Sequence, residues 1–330
     1  MKLVSFFPLR ETEADGSIAG VLVDGLAIDL SVVAERMELD WGGEDLDLGE
    51  MLRYGVFDAD ELDQMSREAA AHHRAGRTHD GLALAYAEGE IDFDAPIPLP
   101  ASVRDFYAFE AHVKAARAGR GLDMIPEWYE FPAFYFSNHN AVIGPDDVVL
   151  RPRASRELDF ELEIACVIGT EGIDIAAADA EQHILGFTIM NDWSARDLQR
   201  AEMKLNLGPA KAKDFATSLG PWVLTLDELQ DRAVGEGRYD LRMVARINGE
   251  QVSEGNFQDI YHPFPRMIER ASADVWLQPG DVLGSGTVGT GCILELGPDK
   301  VPWLQPGDVV ELEIEQLGVL RNVIEAPANT

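Results

Sequence analysis

The run Leu158-Asp159-Phe160-Glu161-Leu162-Glu163-Ile164-Ala165-Cys166-Val167-Ile168 constrains the fold of this chain more than any other stretch. It alternates apolar and acidic residues and then turns wholly apolar, the pattern of a β-strand entering a core. Side chains two apart on a strand share a face. Asp159, Glu161 and Glu163 are therefore expected to project together, with Phe160, Leu162 and Ile164 opposite. Adjacent carboxylates repel, and burying one unpaired is costly. A hard divalent cation with oxygen ligands is the simplest group to hold them.

A chain of 330 residues buries a substantial core and exceeds the usual size of one domain. No apolar run approaches the roughly 20 residues of a membrane span. The segment Met1 to Arg10 reads as a short strand without the features of a signal peptide, so a cytoplasmic location is expected. The net charge of −32 argues against a nucleic-acid partner, which needs clustered Lys and Arg. Residues 1–100 carry 22 acidic and 7 basic side chains, and residues 101–330 carry 37 and 20, so the acidity is a general solvated surface. With 6 lysines against 21 arginines, that surface suits a salt-rich cytoplasm, where screening weakens self-repulsion. Cys166 and Cys292, each in an apolar segment and without CxxC spacing, read as buried, inert thiols on two strands.

The fold class expected is α/β and rich in strands. Residues 1–95 read as a small N-terminal α+β domain. Its short strands (3–7, 18–23 and 27–30) are separated by Asp15-Gly16 and Asp24-Gly25 turns, and a helix is expected from Ala59 to Arg74. In Asp94-Ala95-Pro96-Ile97-Pro98-Leu99-Pro100 the alternate prolines force an extended connector. Residues 96–330 form a larger β-rich unit, with strands expected over 148–150, 160–168, 187–190, 221–224, 241–247, 293–296 and 309–314. Trp276-Leu277-Gln278-Pro279-Gly280-Asp281-Val282 recurs almost unchanged as Trp303-Leu304-Gln305-Pro306-Gly307-Asp308-Val309. Pro-Gly in mid-turn favours type II, so the recurrence reads as one turn solution used twice, suited to a sandwich or roll. Asn248-Gly249 marks a further hairpin.

Four segments carry polar residues out of keeping with surface filler: Arg104 to His112, the Glu161/Glu163 strand, Asn191 to Gln199, and Lys211 to Phe215. Lys204, Lys211 and Lys213 are half the lysines of the chain, packed into ten residues. Glu295 stands as an acid on an otherwise apolar strand, a costly position for an idle charge. Asp192, just before Trp193-Ser194-Ala195-Arg196, is also placed to cap a helix. His72, His73 and His139 have no evident partner.

These segments resemble the fumarylacetoacetate hydrolase family. The matching pieces are Asp105-Phe106-Tyr107 with His112, Leu158 to Glu163, Met190-Asn191-Asp192-Trp193-Ser194-Ala195-Arg196-Asp197-Leu198-Gln199, Lys213-Asp214-Phe215, and Gly284-Ser285-Gly286-Thr287-Val288 leading into Ile293 to Leu296. They span roughly residues 95–325 in the family's order. The resemblance implies a mixed β-roll catalytic domain, a homodimer, and a role in aromatic catabolism. It implies Asp105, Glu161, Glu163 and Asp192 as ligands of a divalent ion, Mg²⁺ foremost and Mn²⁺ or Ca²⁺ otherwise, a set in keeping with hard-cation chemistry. It makes His112 a general base oriented by Glu295, and Arg196, Gln199 and Lys213 the groups that stabilise negative charge on the substrate. Tyr107, Tyr135 and Thr287 fall where the family places further oxygen contacts, and Arg120 or Arg117 where it places a lid arginine. Gly119 and Gly121 suit a mobile loop there. The implied reaction is hydrolysis of the carbon–carbon bond of an acylpyruvate-type 1,3-diketo acid. The same scaffold in relatives supports 2-keto-3-deoxy sugar acid dehydratases, oxaloacetate decarboxylases and hydroxy-dienedioate isomerases.

Overall fold

The structure, a computed structural model, describes residues 1–9, 16–37, 39, 47–55 and 58–327. The turn expected at Asp15-Gly16 lies partly outside them.

The chain folds as a strand-rich α/β protein around one large open sheet. Its main path uses β1 (Lys2–Pro8), β2 (Ile18–Val23), β3 (Leu26–Asp29), β4 (Ala85–Ala87), β5 (Val103–Phe106), β6 (Phe134–Ser137), β7 (Leu162–Ile168), β8 (Ile184–Asp192), β9 (Thr217–Thr225) and β10 (Val282–Gly284). The spatial order is β4-β3-β2-β1-β9-β8-β7-β10-β5-β6. Because β1 pairs with β9, the N-terminal strands and those of residues 103–284 share this sheet. A five-stranded sheet (Glu250–Asn256, Arg242–Ile247, Val309–Ile314, Gly318–Glu325 and Val148–Leu150) packs on one face.

The central strand β7 is covered on both sides, which explains its unbroken apolar character. Leu162, Ile164, Cys166 and Ile168 join Met243, Leu312 and Leu320 in the core between the sheets. Ala165 and Val167 face the opposite way and pack with Met190, Val223, Leu48, Met51 and Leu52. The helix expected at Ala59–Arg74 is present, capped by the Asp58 carboxylate on the Glu61 N–H, and buries Leu62, Met65, Ala69 and Ala70.

The turn chemistry is as read. Asn248 and Gly249 both take positive φ (53° and 81°) in the two-residue hairpin joining Ile247 to Glu250. Gly280 and Gly307 sit at φ 85° and 98° in the two Pro-Gly turns. In each turn the following aspartate (Asp281, Asp308) accepts the backbone N–H of the glutamine three residues earlier, at 2.8 and 2.7 Å. The recurrence is a repeated local solution.

Three readings of local structure are corrected. Phe160–Ile168 is not one strand: Leu158–Asp159 pairs with Ser194–Ala195, and the long ladder begins at Leu162. Ile293–Leu296 is a four-residue helix, so Cys292 stands at a helix N-cap position instead of lying in a strand. Four apolar residues do not distinguish strand from helix by period, and Glu295 gives no alternation to break the tie. Asp192 ends β8 and caps nothing, since the helix α4 (Arg196–Glu202) is preceded by Ala195 at its cap. The Ala59–Arg74 helix is α1, and the remaining helices near the pocket are α2 (Glu110–Ala118), α3 (Pro126–Glu130) and α5 (Ile293–Leu296).

Candidate active site

Sheet register brings the acidic residues together. Asp105 of β5 lies opposite Gly284 of β10, which is itself next to Ala165 of β7. Glu163 pairs with Met190, two residues before Asp192 at the end of β8. Asp105, Glu163 and Asp192 share the strand parity of Val103, Ala165 and Met190, so they emerge on one sheet face beyond the apolar packing of those residues. Glu161 joins from the break before β7, where its N–H donates to the Asn191 side-chain oxygen at 2.9 Å. One ligand atom from each of Asp105, Glu161, Glu163 and Asp192 lies within 4.8 Å of all the others, and all four residues are buried.

Asp159 does not join this group, contrary to the expectation of three carboxylates projecting together. The break at Phe160-Glu161 turns it toward Arg196 and the first N–H groups of α5. It accepts from Arg196 Nε at 2.8 Å and from the Ile293 and Leu294 amides at 2.7 and 3.1 Å. Arg196 Nη2 reaches Glu161 at 2.7 Å, and Nη1 donates to the Gln199 side-chain oxygen at 3.0 Å. Lys213 Nζ donates to Glu161 at 2.5 Å and also to Asp192. The Tyr135 hydroxyl donates to Asp192 as well. Of the lysine cluster only Lys213 enters the pocket: Lys204 and Lys211 are exposed, the latter paired with Asp214. A run of lysines carries no information about which one the fold turns inward.

Five buried carboxylates thus face two cations, so full ionisation would leave three negative charges unmatched. Burial, followed by the charge of Asp192, pushes Asp105 up to about 8. Burial and the neighbouring carboxylates push Glu163 well above its usual range, and burial raises Asp192. Glu161 is the exception. Burial acts against its charge, but Lys213 and Arg196 together hold it below the ordinary value. Asp105 Oδ1, Glu163 Oε1 and Asp192 Oδ1 are buried with no hydrogen-bond partner. Unsatisfied buried oxygens are rare and need a reason. An oxygen-only set with three orphaned acceptors and excess negative charge fits a hard divalent ion.

The same pocket explains two glycines that motif reading left without a role. A Cβ on Gly284 would stand 2.7 Å from Asp105 Oδ1 and 2.8 Å from Met190 Sδ. Gly286 takes φ 77°, and its N–H donates to Glu163 Oε2 at 3.0 Å, while a Cβ there would meet the Phe106 carbonyl oxygen at 2.5 Å. A glycine inside an apolar strand is the sequence signal for such close approach.

Beside the carboxylates, α2 carries His112, whose Nδ1 lies 2.5 Å from Glu295 Oε1. The Thr290 amide donates to the other oxygen of Glu295 at 3.1 Å. Tyr107 stands edge-on to the His112 ring, centroids 5.4 Å apart. Burial pushes the Tyr107 phenol up to about 12 against the pull of Arg120 and then Arg117. Those two arginines flank the glycine turn: Arg120, exposed, donates to the Ala116 carbonyl at 3.1 Å, and Arg117 to that of Asp123 at 2.5 Å. Thr287 is buried one residue past Gly286. Among the other histidines, His72 meets Arg36 at 2.7 Å, and His262, buried, meets the Trp128 carbonyl at 2.7 Å. Burial raises both thiols, Cys292 well above its usual range.

Converging strands that deliver buried carboxylates to one sheet face, with a histidine–glutamate pair alongside, define an α/β enzyme scaffold of the β-roll kind with an acidic pocket. Residues 101–325 match the family described as "Fumarylacetoacetate (FAA) hydrolase C-terminal". The chain belongs to the fumarylacetoacetate hydrolase family. It is 30% identical over 255 residues to fumarylacetoacetase of Oryza sativa subsp. japonica, covering 62% of this chain and 59% of the rice protein. It is 35% identical over 193 residues to the human mitochondrial oxaloacetate tautomerase FAHD2A, covering 58% of this chain and 59% of that protein. The chain thus spans about three fifths of the length of these relatives. Among solved structures, maleylpyruvate hydrolase from Sphingobium sp. SYK-6, in complex with manganese(II) and pyruvate, shares the fold. Its TM-score is 0.69 at 22% identity, covering 99% of this chain and all of that one.

Proposed function

We propose that this chain is a metal-dependent hydrolase that cleaves the carbon–carbon bond of an acylpyruvate-type 1,3-diketo acid. The observation that carries the reading is the pocket of Asp105, Glu161, Glu163 and Asp192, with three orphaned oxygens, next to the His112–Glu295 pair. Those four residues would hold Mg²⁺, Mn²⁺ or Ca²⁺, and the bound ion would supply positive charge that binds and polarises the oxygens of a keto acid. Glu295 accepts the Nδ1 proton of His112 and so fixes the tautomer that leaves Nε2 free to take a proton from water. The hydroxide adds to the acyl carbonyl. The bond between that carbon and the pyruvate methylene breaks, and its electron pair passes to the departing enolate. Lys213 brings positive charge to the developing enolate, with Gln199 held toward the pocket by Arg196. Proton return to the enolate gives pyruvate, and the acyl half leaves as a carboxylate. Tyr107, Tyr135, Thr287 and Arg120 complete the substrate cavity, and the homodimer and cytoplasmic setting belong to the same proposal. Among the described residues no helix is long and apolar enough to cross a membrane.

The match to an oxaloacetate tautomerase favours a second reading on the same residues, proton transfer within a 2-keto acid without bond cleavage. A panel of acylpyruvates, oxaloacetate and 2-keto-3-deoxy acids, assayed with several divalent ions, separates the two. The hydrolase reading expects pyruvate and carboxylate in equal amounts from an acylpyruvate, and a loss of roughly 10²–10⁴-fold in turnover for His112→Ala. Turnover of oxaloacetate alone, or full acylpyruvate cleavage by His112→Ala, overturns it.

A further inference from the structure

Cys292 takes no part in the chemistry above, yet it sits against the catalytic pair. Cys292, extended at the N-cap of α5, and Glu295, within its single turn, present their side chains on one face, Sγ 3.7 Å from Oε1. His112 approaches the same face from α2. One ligand atom of each of the three lies within 4.8 Å of the other two. Two donors converge on one oxygen: His112 Nδ1 lies 2.5 Å, and Cys292 Sγ 3.7 Å, from Glu295 Oε1.

We propose that His112, Cys292 and Glu295 form a second metal site, which takes a thiophilic divalent ion such as Zn²⁺ or Cd²⁺ and silences the histidine. The ligand set differs in kind from the main pocket. Nitrogen, sulfur and a carboxylate suit Zn²⁺, whereas four carboxylates suit hard ions. Tetrahedral zinc places its N, S and O ligands about 3.3–3.6 Å apart. The sulfur–oxygen separation already matches, and the histidine–glutamate contact must open by about 1 Å. Coordination replaces the two converging protons with one ion. The thiol proton leaves to solvent, because the ligand is thiolate. The imidazole proton moves from Nδ1 to Nε2, because Nδ1 now holds the ion. Nε2 then has no lone pair to accept a proton from water. The Thr290 amide on the second carboxylate oxygen steadies Glu295 in the new role.

Binding does not depend on the proposed reaction, whereas inhibition does. The test therefore reads both. Protein with its main pocket saturated by Mg²⁺ is equilibrated with Cd²⁺ and followed by thiolate-to-cadmium absorbance. Zn²⁺ titration of the same protein is followed by calorimetry and by keto-acid turnover. One Cd²⁺ per chain with a thiolate band is expected, absent in Cys292→Ser and in Cys292→Ala, while Cys166 remains as an internal control. Removing a ligand should raise the inhibitory Zn²⁺ concentration by about 100-fold or more, since even outer partners of a metal site are worth about 10–100-fold. Turnover with Mg²⁺ should be unchanged in both variants. A wild-type protein that takes up no Zn²⁺ or Cd²⁺ beyond the main pocket, or a band that survives both substitutions, overturns the site. A band without inhibition leaves the metal site standing and counts against His112 as the base.

Discussion

Asp105 has been taken out of water with no cation in direct contact. Its carboxyl therefore keeps its proton in the folded protein to about pH 8, against 3.8 for the ordinary group. Between those values the folded form binds more protons than the unfolded chain, so stability falls as pH rises through the window and no more is lost above it. Denaturant midpoints of chelated protein should decline from pH 4 to pH 8, and Asp105→Asn should flatten that slope. A slope identical in the variant would show that Asp105 does not titrate as described. At this scale the sequence was informative about chemistry and poor about aim. Asp105, Glu161, Glu163, Asp192, His112, Glu295 and Lys213 were nameable because their residue types and order match a family string. Asp159 was placed with the wrong neighbours, since a strand rule assumes an unbroken strand and the ladder here starts only at Leu162. In the folded chain Arg196 and Lys213 also pair with Asp159, Glu161 and Asp192, contacts that a family string does not spell out.

Elements fix the pocket by register. The parallel pairing of β10 with β5 sets Gly284 opposite Asp105, and the antiparallel pairing with β7 sets it opposite Ala165. The strand carries no side chain at the point where the carboxylate and Met190 need the space. Gly284→Ala should cost about 1–3 kcal/mol from overpacking, and it should weaken divalent-ion binding by displacing Asp105. Thermal melts with and without Mn²⁺ would check both. Wild-type stability together with wild-type ion affinity would contradict the geometry. Strands with strong alternation, type I′ hairpin residues or Pro-Gly turns were legible because each is a local steric requirement. Ile293–Leu296 was not, because its helical state comes from the Asp159 carboxylate receiving the first two amides, a contact 134 residues away in sequence.

At the scale of the whole molecule, a net charge of −32 makes the folded state repel itself. Salt screens exposed charges over about 8–10 Å near physiological strength and over shorter distances above it. The unfolding midpoint should therefore rise with KCl, and a maximum in dilute buffer would remove the halophilic reading. The fold also shows that the connector at residues 94–100 does not separate two sheets, since β1 runs beside β9. Long-range pairing of this kind leaves no trace in local composition. Carboxylates from three stretches of chain converge where they can grip one divalent ion. The most direct test is titration calorimetry of chelated, folded protein with Mn²⁺ and Mg²⁺, alongside Glu163→Gln. One ion per chain is predicted, with proton release on binding and a marked loss of affinity in the variant. A folded wild-type protein that binds neither ion, nor Ca²⁺, would contradict it.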